Sequence, residues 1–114
     1  MMRISTHVLD IACGRPATDV PVRLERKDTA GLWQLLASGR TDSEGRCSPL
    51  LLADEMPAPG IYRLGFDTAS YFAACQLDAL YPLVEITFQV RDGERHFHIP
   101  LLLSPNGYTT YRGS

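Results

Sequence analysis

Apolar and polar residues alternate singly along much of this chain, and no long stretch keeps a helical period of 3.6. The clearest case is residues 84–91, where Val84, Ile86, Phe88 and Val90 alternate with Glu85, Thr87, Gln89 and Arg91. Successive side chains of a strand point to opposite faces, so this spacing builds one apolar face and one polar face. Residues 3–10 repeat it, with Ile4, Thr6 and Val8 against Ser5, His7 and Leu9. Val20, Val22 and Leu24 do the same against Pro21, Arg23 and Glu25, the proline marking a strand start or a sheet edge. Further strands are expected at 32–39 around Trp33, at 46–48, and at 61–66, where Tyr62, Leu64 and Phe66 share a face. Near the end of the chain Phe97, Ile99, Leu101 and Leu103 form another core face. The opposite face of that strand holds His96, His98, Pro100, Leu102 and Ser104, an odd mixture for a plain solvated surface.

Turn signals separate these runs. Gly14, Pro16 and Asp19 make a loop of residues 10–19, residues 27–31 form a polar turn, and Gly45 closes a Thr-Asp-Ser-Glu-Gly turn. Residues 50–59 read as loop, with Pro49, Pro57 and Pro59 against regular structure. Asp67 and Thr68 can cap one short helix that ends near Cys75, supported by Ala69, Ala73 and Ala74. Ser-Pro-Asn-Gly at 104–107 predicts a tight turn, returning as a strand over 108–112. Asp92-Gly93 has the chemistry of a two-residue hairpin, so 84–91, 94–103 and 108–112 are expected to run as one meander. Many short strands between turns predict an all-β sandwich or barrel. The 114 residues are the length of one domain, 1–114, with no repeat or linker.

Composition narrows the function. Apolar content of 45% and charged content of 21% suit a globular protein rather than a disordered one. The net charge of −2, without a basic run, argues against a nucleic-acid partner. No apolar stretch approaches the roughly 20 residues that cross a bilayer, so no membrane partner is expected. Residues 1–7 hold no signal-peptide core. Three scattered cysteines, Cys13, Cys47 and Cys75, suit free thiols in a reducing compartment, and the cytoplasm is the expected location.

Three histidines carry the candidate chemistry. His96 and His98 stand two apart and point the same way from a strand. With His7 they would make a three-imidazole zinc site with an open fourth position. A neutral imidazole would equally serve as a general base near pH 7. Spacing does not separate these uses. Arg46, just after a turn glycine, is either a solvated arginine or a guanidinium fork for an anionic or carbonyl-rich ligand. Arg112 could do the same or anchor the chain end, Tyr111 offers a ring and a hydroxyl, and Ser114 a hydroxyl and a carboxylate. No serine-nucleophile elbow, Walker loop, dinucleotide fingerprint or zincin helix is present.

Three spaced motifs then resemble those of the 5-hydroxyisourate hydrolases of the transthyretin-related family: Ser5-Thr6-His7-Val8-Leu9-Asp10 with Gly14-Arg15-Pro16-Ala17, Thr41-Asp42 through Gly45-Arg46-Cys47, and His96-Phe97-His98-Ile99-Pro100 through Tyr111-Arg112-Gly113-Ser114. Phe97 stands where the family often has Tyr, and Thr109 where it often has Ser. The resemblance implies a transthyretin-like sandwich of two four-stranded sheets with one short helix. It implies a homotetramer, a dimer of dimers, with active sites where the dimers meet and the His98 and Leu102 face covered there. It implies an enzyme, a cyclic amide hydrolase that opens 5-hydroxyisourate in urate degradation, with 2-oxo-4-hydroxy-4-carboxy-5-ureidoimidazoline as product. By the same likeness the catalytic set is His7, Arg46, His98 and Ser114. Tyr111 would line the site, with His96 and Arg112 as further substrate contacts. The scheme calls for no cofactor and no metal. Two alternatives stand beside it: a small-ligand carrier of the transthyretin type, which lacks the Tyr-Arg-Gly-Ser ending, and a zinc hydrolase using His7, His96 and His98.

Overall fold

A computed structural model describes residues 3–51 and 59–114. The alternating segments form two sheets whose apolar faces meet. Strand β1 (Arg3–Asp10) is the spine of the first sheet. On one side it pairs in parallel with β8 (His96–Ser104), placing Ser5 opposite His98 and His7 opposite Pro100. On the other side its first half pairs antiparallel with β5 (Arg46–Leu51) and its end with the two-residue β2 (Arg15–Pro16). The far neighbour of β8 is β9 (Gly107–Thr110). The second sheet is antiparallel, in the order β4 (Trp33–Arg40), β3 (Pro21–Lys27), β6 (Gly60–Phe66), β7 (Val84–Val90).

The core faces read from the alternation are the buried ones. Ile4, Val8, Leu24, Leu64, Phe66, Leu101 and Leu103 are all almost fully removed from water. Phe88 and Phe97 face each other between the sheets, with ring centroids 5.9 Å apart. The expected helix is α1 (Thr68–Ala74), capped by Asp67, whose carboxylate accepts from Ser70 N at 3.1 Å. It is docked on β1 by the Tyr71 hydroxyl, which donates to Asp10 at 2.6 Å.

Two expectations need correction. The meander over 84–91, 94–103 and 108–112 does not form: β7 pairs with β6, and β8 lies in the other sheet between β1 and β9. The Asp92-Gly93 turn is real, with Glu94 N donating to Arg91 O at 3.2 Å and Gly93 at φ +83. It is a corner between sheets rather than a hairpin. Local turn chemistry sets the reversal but not the partner. Here Phe88 of β7 meets Phe97 of β8 across the core instead. The loop expected at 50–59 falls largely outside the described residues, but its first positions belong to β5, where Leu50 is buried.

The 104–107 turn and the returning strand are present, and the return is shorter than expected. β9 ends at Thr110. The chain then rejoins β8 once more, in the same register, where Gly113 N donates to His98 O at 2.7 Å. Pro100 lies opposite the interruption; it has no N–H to give, and its carbonyl is taken by the Thr110 hydroxyl at 2.8 Å.

Candidate active site

The outward face of the first sheet carries a cavity of about 610 Å³ lined by Arg3, Ser5, Arg46, Ser48, His96, His98 and Ser114, among others. Its cationic and hydroxyl side chains come from three paired strands and the chain end, and among the described residues no Asp or Glu side chain lines it. A similar-sized concavity lies on the outer face of the second sheet, around Arg23, Arg40 and Asp67. Its arginines are already paired: Arg23 with Glu25 and Glu85 at 3.4 and 3.3 Å, Arg40 with Asp19 at 3.5 Å. Of the two, the first holds its arginine more loosely, Arg46 having Glu44 no nearer than 4.0 Å.

Each group in it has a reason to be where it is. Arg46 follows a tight turn in which Asp42 Oδ1 accepts from Glu44 N at 2.9 Å and from Arg46 N at 3.0 Å. Gly45 in that turn has φ +79, and an added Cβ would collide with the Val8 carbonyl, so only glycine fits. The same turn points the Glu44 carbonyl at His7, whose Nε2 lies 2.8 Å away. A carbonyl only accepts, so that nitrogen carries the proton. The Arg46 guanidinium is about half exposed, and its nearest carboxylate, Glu44, is 4.0 Å off.

His98 is half-buried, with Nδ1 2.9 Å from Ser5 Oγ. Its pKa is pushed below the usual 6.5 by burial first, then by the nearby charges of His7 and Arg46. Burial and like charge both disfavour imidazolium, so the ring is neutral at pH 7 and able to accept a proton.

The structure therefore brings Arg46, His96, His98 and Ser114 to one cavity, with His7 beside it and close enough to act on His98. Tyr111 and Arg112 lie elsewhere, in a small cleft between β7 and β9 with Phe88 and Phe97. Arg112 pairs with Glu94 at 2.9 Å, donates to His96 O at 3.3 Å and lies over the Phe97 ring, which ties down the chain end. Sequence reasoning missed Arg3, Ser5 and Ser48. The signal for the first two was available: they precede His7 at steps of two on the same strand face. Among the described residues no three His, Cys, Asp or Glu side chains gather to hold a metal, so His7, His96 and His98 do not form the zinc site that spacing allowed.

A family model described as the HIUase/Transthyretin family matches residues 4–113. The chain belongs to that family. A 5-hydroxyisourate hydrolase of Caulobacter vibrioides is 45% identical over 118 residues, covering 100% of both chains. The solved 5-hydroxyisourate hydrolase of Klebsiella pneumoniae superposes with a TM-score of 0.87 at 37% identity, again covering 100% of each chain. A sea bream transthyretin solved with thyroxine gives a TM-score of 0.91 at 32% identity, covering 97% of this chain and 94% of its own. The fold of the family thus holds both hydrolases and a transthyretin solved with thyroxine, and the site must separate them.

Proposed function

We propose that this protein hydrolyses 5-hydroxyisourate in urate degradation. The observation that carries the reading is the cavity: a neutral histidine, a half-exposed arginine whose carboxylate neighbour is 4.0 Å away, and no acidic side chain in the lining among the described residues. A flat, carbonyl-rich substrate fits such a lining. Water attacks the lactam carbonyl, and His98 Nε2 takes its proton. Arg46 faces the oxygen on which negative charge develops. The ring C–N bond then breaks, and the proton passes from His98 to the departing nitrogen, giving 2-oxo-4-hydroxy-4-carboxy-5-ureidoimidazoline. His98 is preferred over His7 as the base because His7 Nε2 is committed to the Glu44 carbonyl. His7 and Ser114 orient the substrate or the water, and His96 and Arg3 bind at the rim. The scheme uses no cofactor.

The same reading places the protein in a homotetramer. Leu9 and Leu102 are opposite each other on the face that bears the site, half-buried beside His7 and His98. A second subunit over this face would cover those leucines and close the cavity. Tyr111, which lines a different cleft of its own chain, would then meet the site only through assembly. Its free thiols suit the cytoplasm.

A carrier reading has the close superposition on the sea bream transthyretin in its favour. One assay separates the two. With 5-hydroxyisourate made in situ from urate, the protein should speed its spectroscopic decay catalytically. Decay at the buffer rate would rule out the hydrolase.

A further inference from the structure

The imidazole of His98 is held by two groups with no assigned part in the reaction. Ser5 faces it across the parallel β1–β8 pairing, with Oγ 2.9 Å from Nδ1. Ser5 is only 9% exposed, so bulk water does not readily take its place. On the other side the ring lies against the bare Cα of Gly113, where an added Cβ would stand 2.6 Å from His98 Cδ2. With Nδ1 turned to Ser5, Nε2 is the nitrogen left for the cavity.

A base at Nε2 needs its lone pair there, so the single proton of the neutral ring must sit on Nδ1, and that N–H needs an acceptor. Among the described residues, the charged and titratable groups around the ring are Arg3 and His7 from β1, Arg46 from β5 and His96 from its own strand, with the hydroxyl and carboxylate of Ser114 in the same cavity. Among the described residues no Asp or Glu side chain lines the cavity, and the side chain in contact with Nδ1 is Ser5. The Ser5 hydroxyl is the acceptor in place. We propose that Ser5 is a positioning residue: its hydroxyl accepts the Nδ1 proton of His98 and so fixes the tautomer that leaves Nε2 free to take a proton from water. When Nε2 gains that proton, Nδ1–H remains, and the same hydroxyl bonds the charged ring more strongly. A neutral acceptor orients the ring without adding negative charge.

The catalytic meaning of this assignment rests on the hydrolase reading; the tautomer itself does not. Ser5→Ala and Ser5→Thr should be compared by kinetics on 5-hydroxyisourate and by NMR of the ¹⁵N-labelled histidines. Ser5→Ala is expected to lower kcat by about 10- to 100-fold with KM nearly unchanged. That is less than the roughly 10,000-fold lost when a serine protease loses its carboxylate orienter. His98 should show the Nδ1–H tautomer in the wild type and a mixture in Ser5→Ala, with Ser5→Thr restoring both readouts. An Nε2–H tautomer in the wild type would overturn the assignment. So would a fall in kcat in Ser5→Ala with the tautomer unchanged. A wild-type protein that leaves 5-hydroxyisourate untouched but shows the Nδ1–H tautomer would sink the function and not the Ser5 contact.

Discussion

His98 is set up as a base by what surrounds it. Burial, then His7, then Arg46 hold its pKa below 6.5. A lowered histidine pKa means that the neutral form takes over as pH rises through that lowered value. In the proposed hydrolase, kcat/KM should therefore climb with pH on a limb centred below pH 6.5. A limb centred at or above 6.5 would contradict this environment. His98→Gln should lose about 100- to 10,000-fold, the usual contribution of a positioned acid–base group, and near-normal turnover would remove His98 from the mechanism. Gly113 tests the same ring from its other side. Gly113→Ala places a methyl 2.6 Å from Cδ2, and the ring must move. Activity should fall at least several-fold while the denaturation midpoint changes little, because the clash is at an exposed chain end. Unchanged kcat would show that the ring can shift freely. None of this crowding was visible in the sequence, where the glycine of Tyr-Arg-Gly-Ser reads only as part of a family ending.

At the scale of elements, the turn between β4 and β5 does the work of aiming Arg46 and fixing His7. Its chemistry was legible: Asp42 and Gly45 sit where a tight turn wants a side-chain acceptor and a positive φ. Gly45→Ala forces a Cβ into the Val8 carbonyl at φ +79. It should cost more than about 1 kcal/mol in a denaturant titration and reduce activity as well, since Arg46 and the Glu44 carbonyl both hang from the turn. A stable, fully active Gly45→Ala would mean that the turn can relax away from β1. The strands themselves were readable because period two marks a buried face wherever one side meets water. Their partners were less so. The β8–β9 hairpin follows from the Ser-Pro-Asn-Gly turn, but the parallel pairing of β1 with β8 joins residues some ninety positions apart without any local signal. That pairing is what brings Ser5 to His98. It is also why a turn at Asp92-Gly93 suggested a meander that the two-sheet packing overrules.

At the scale of the molecule, the site lies on a sheet face that one chain leaves open. Candidate site residues could be named from sequence because the family motifs carry them, but their convergence depends on β1, β5 and β8 lying side by side, and in the proposed tetramer a further subunit would close the cavity. The mixed face of β8 reflects this. Its apolar members, Pro100 and Leu102, sit beside His98, and Leu102 faces Leu9 across the sheet. In a lone chain the two leucines would gain nothing from that position; in the proposed tetramer they would pack against a neighbour and shield the reacting groups from bulk water. Leu102→Arg puts a charge on that contact, and burying an unpaired charge is costly enough to break a subunit interface. The face is outside the core of the chain, so the fold should survive. Sedimentation is then expected to show the tetramer reduced to dimers, with a circular dichroism spectrum like that of the wild type and a loss of activity greater than the loss of stability. If Leu102→Arg still sedimented as the wild-type species and turned over normally, this face would not be where subunits meet, and the cavity would have to work open to solvent.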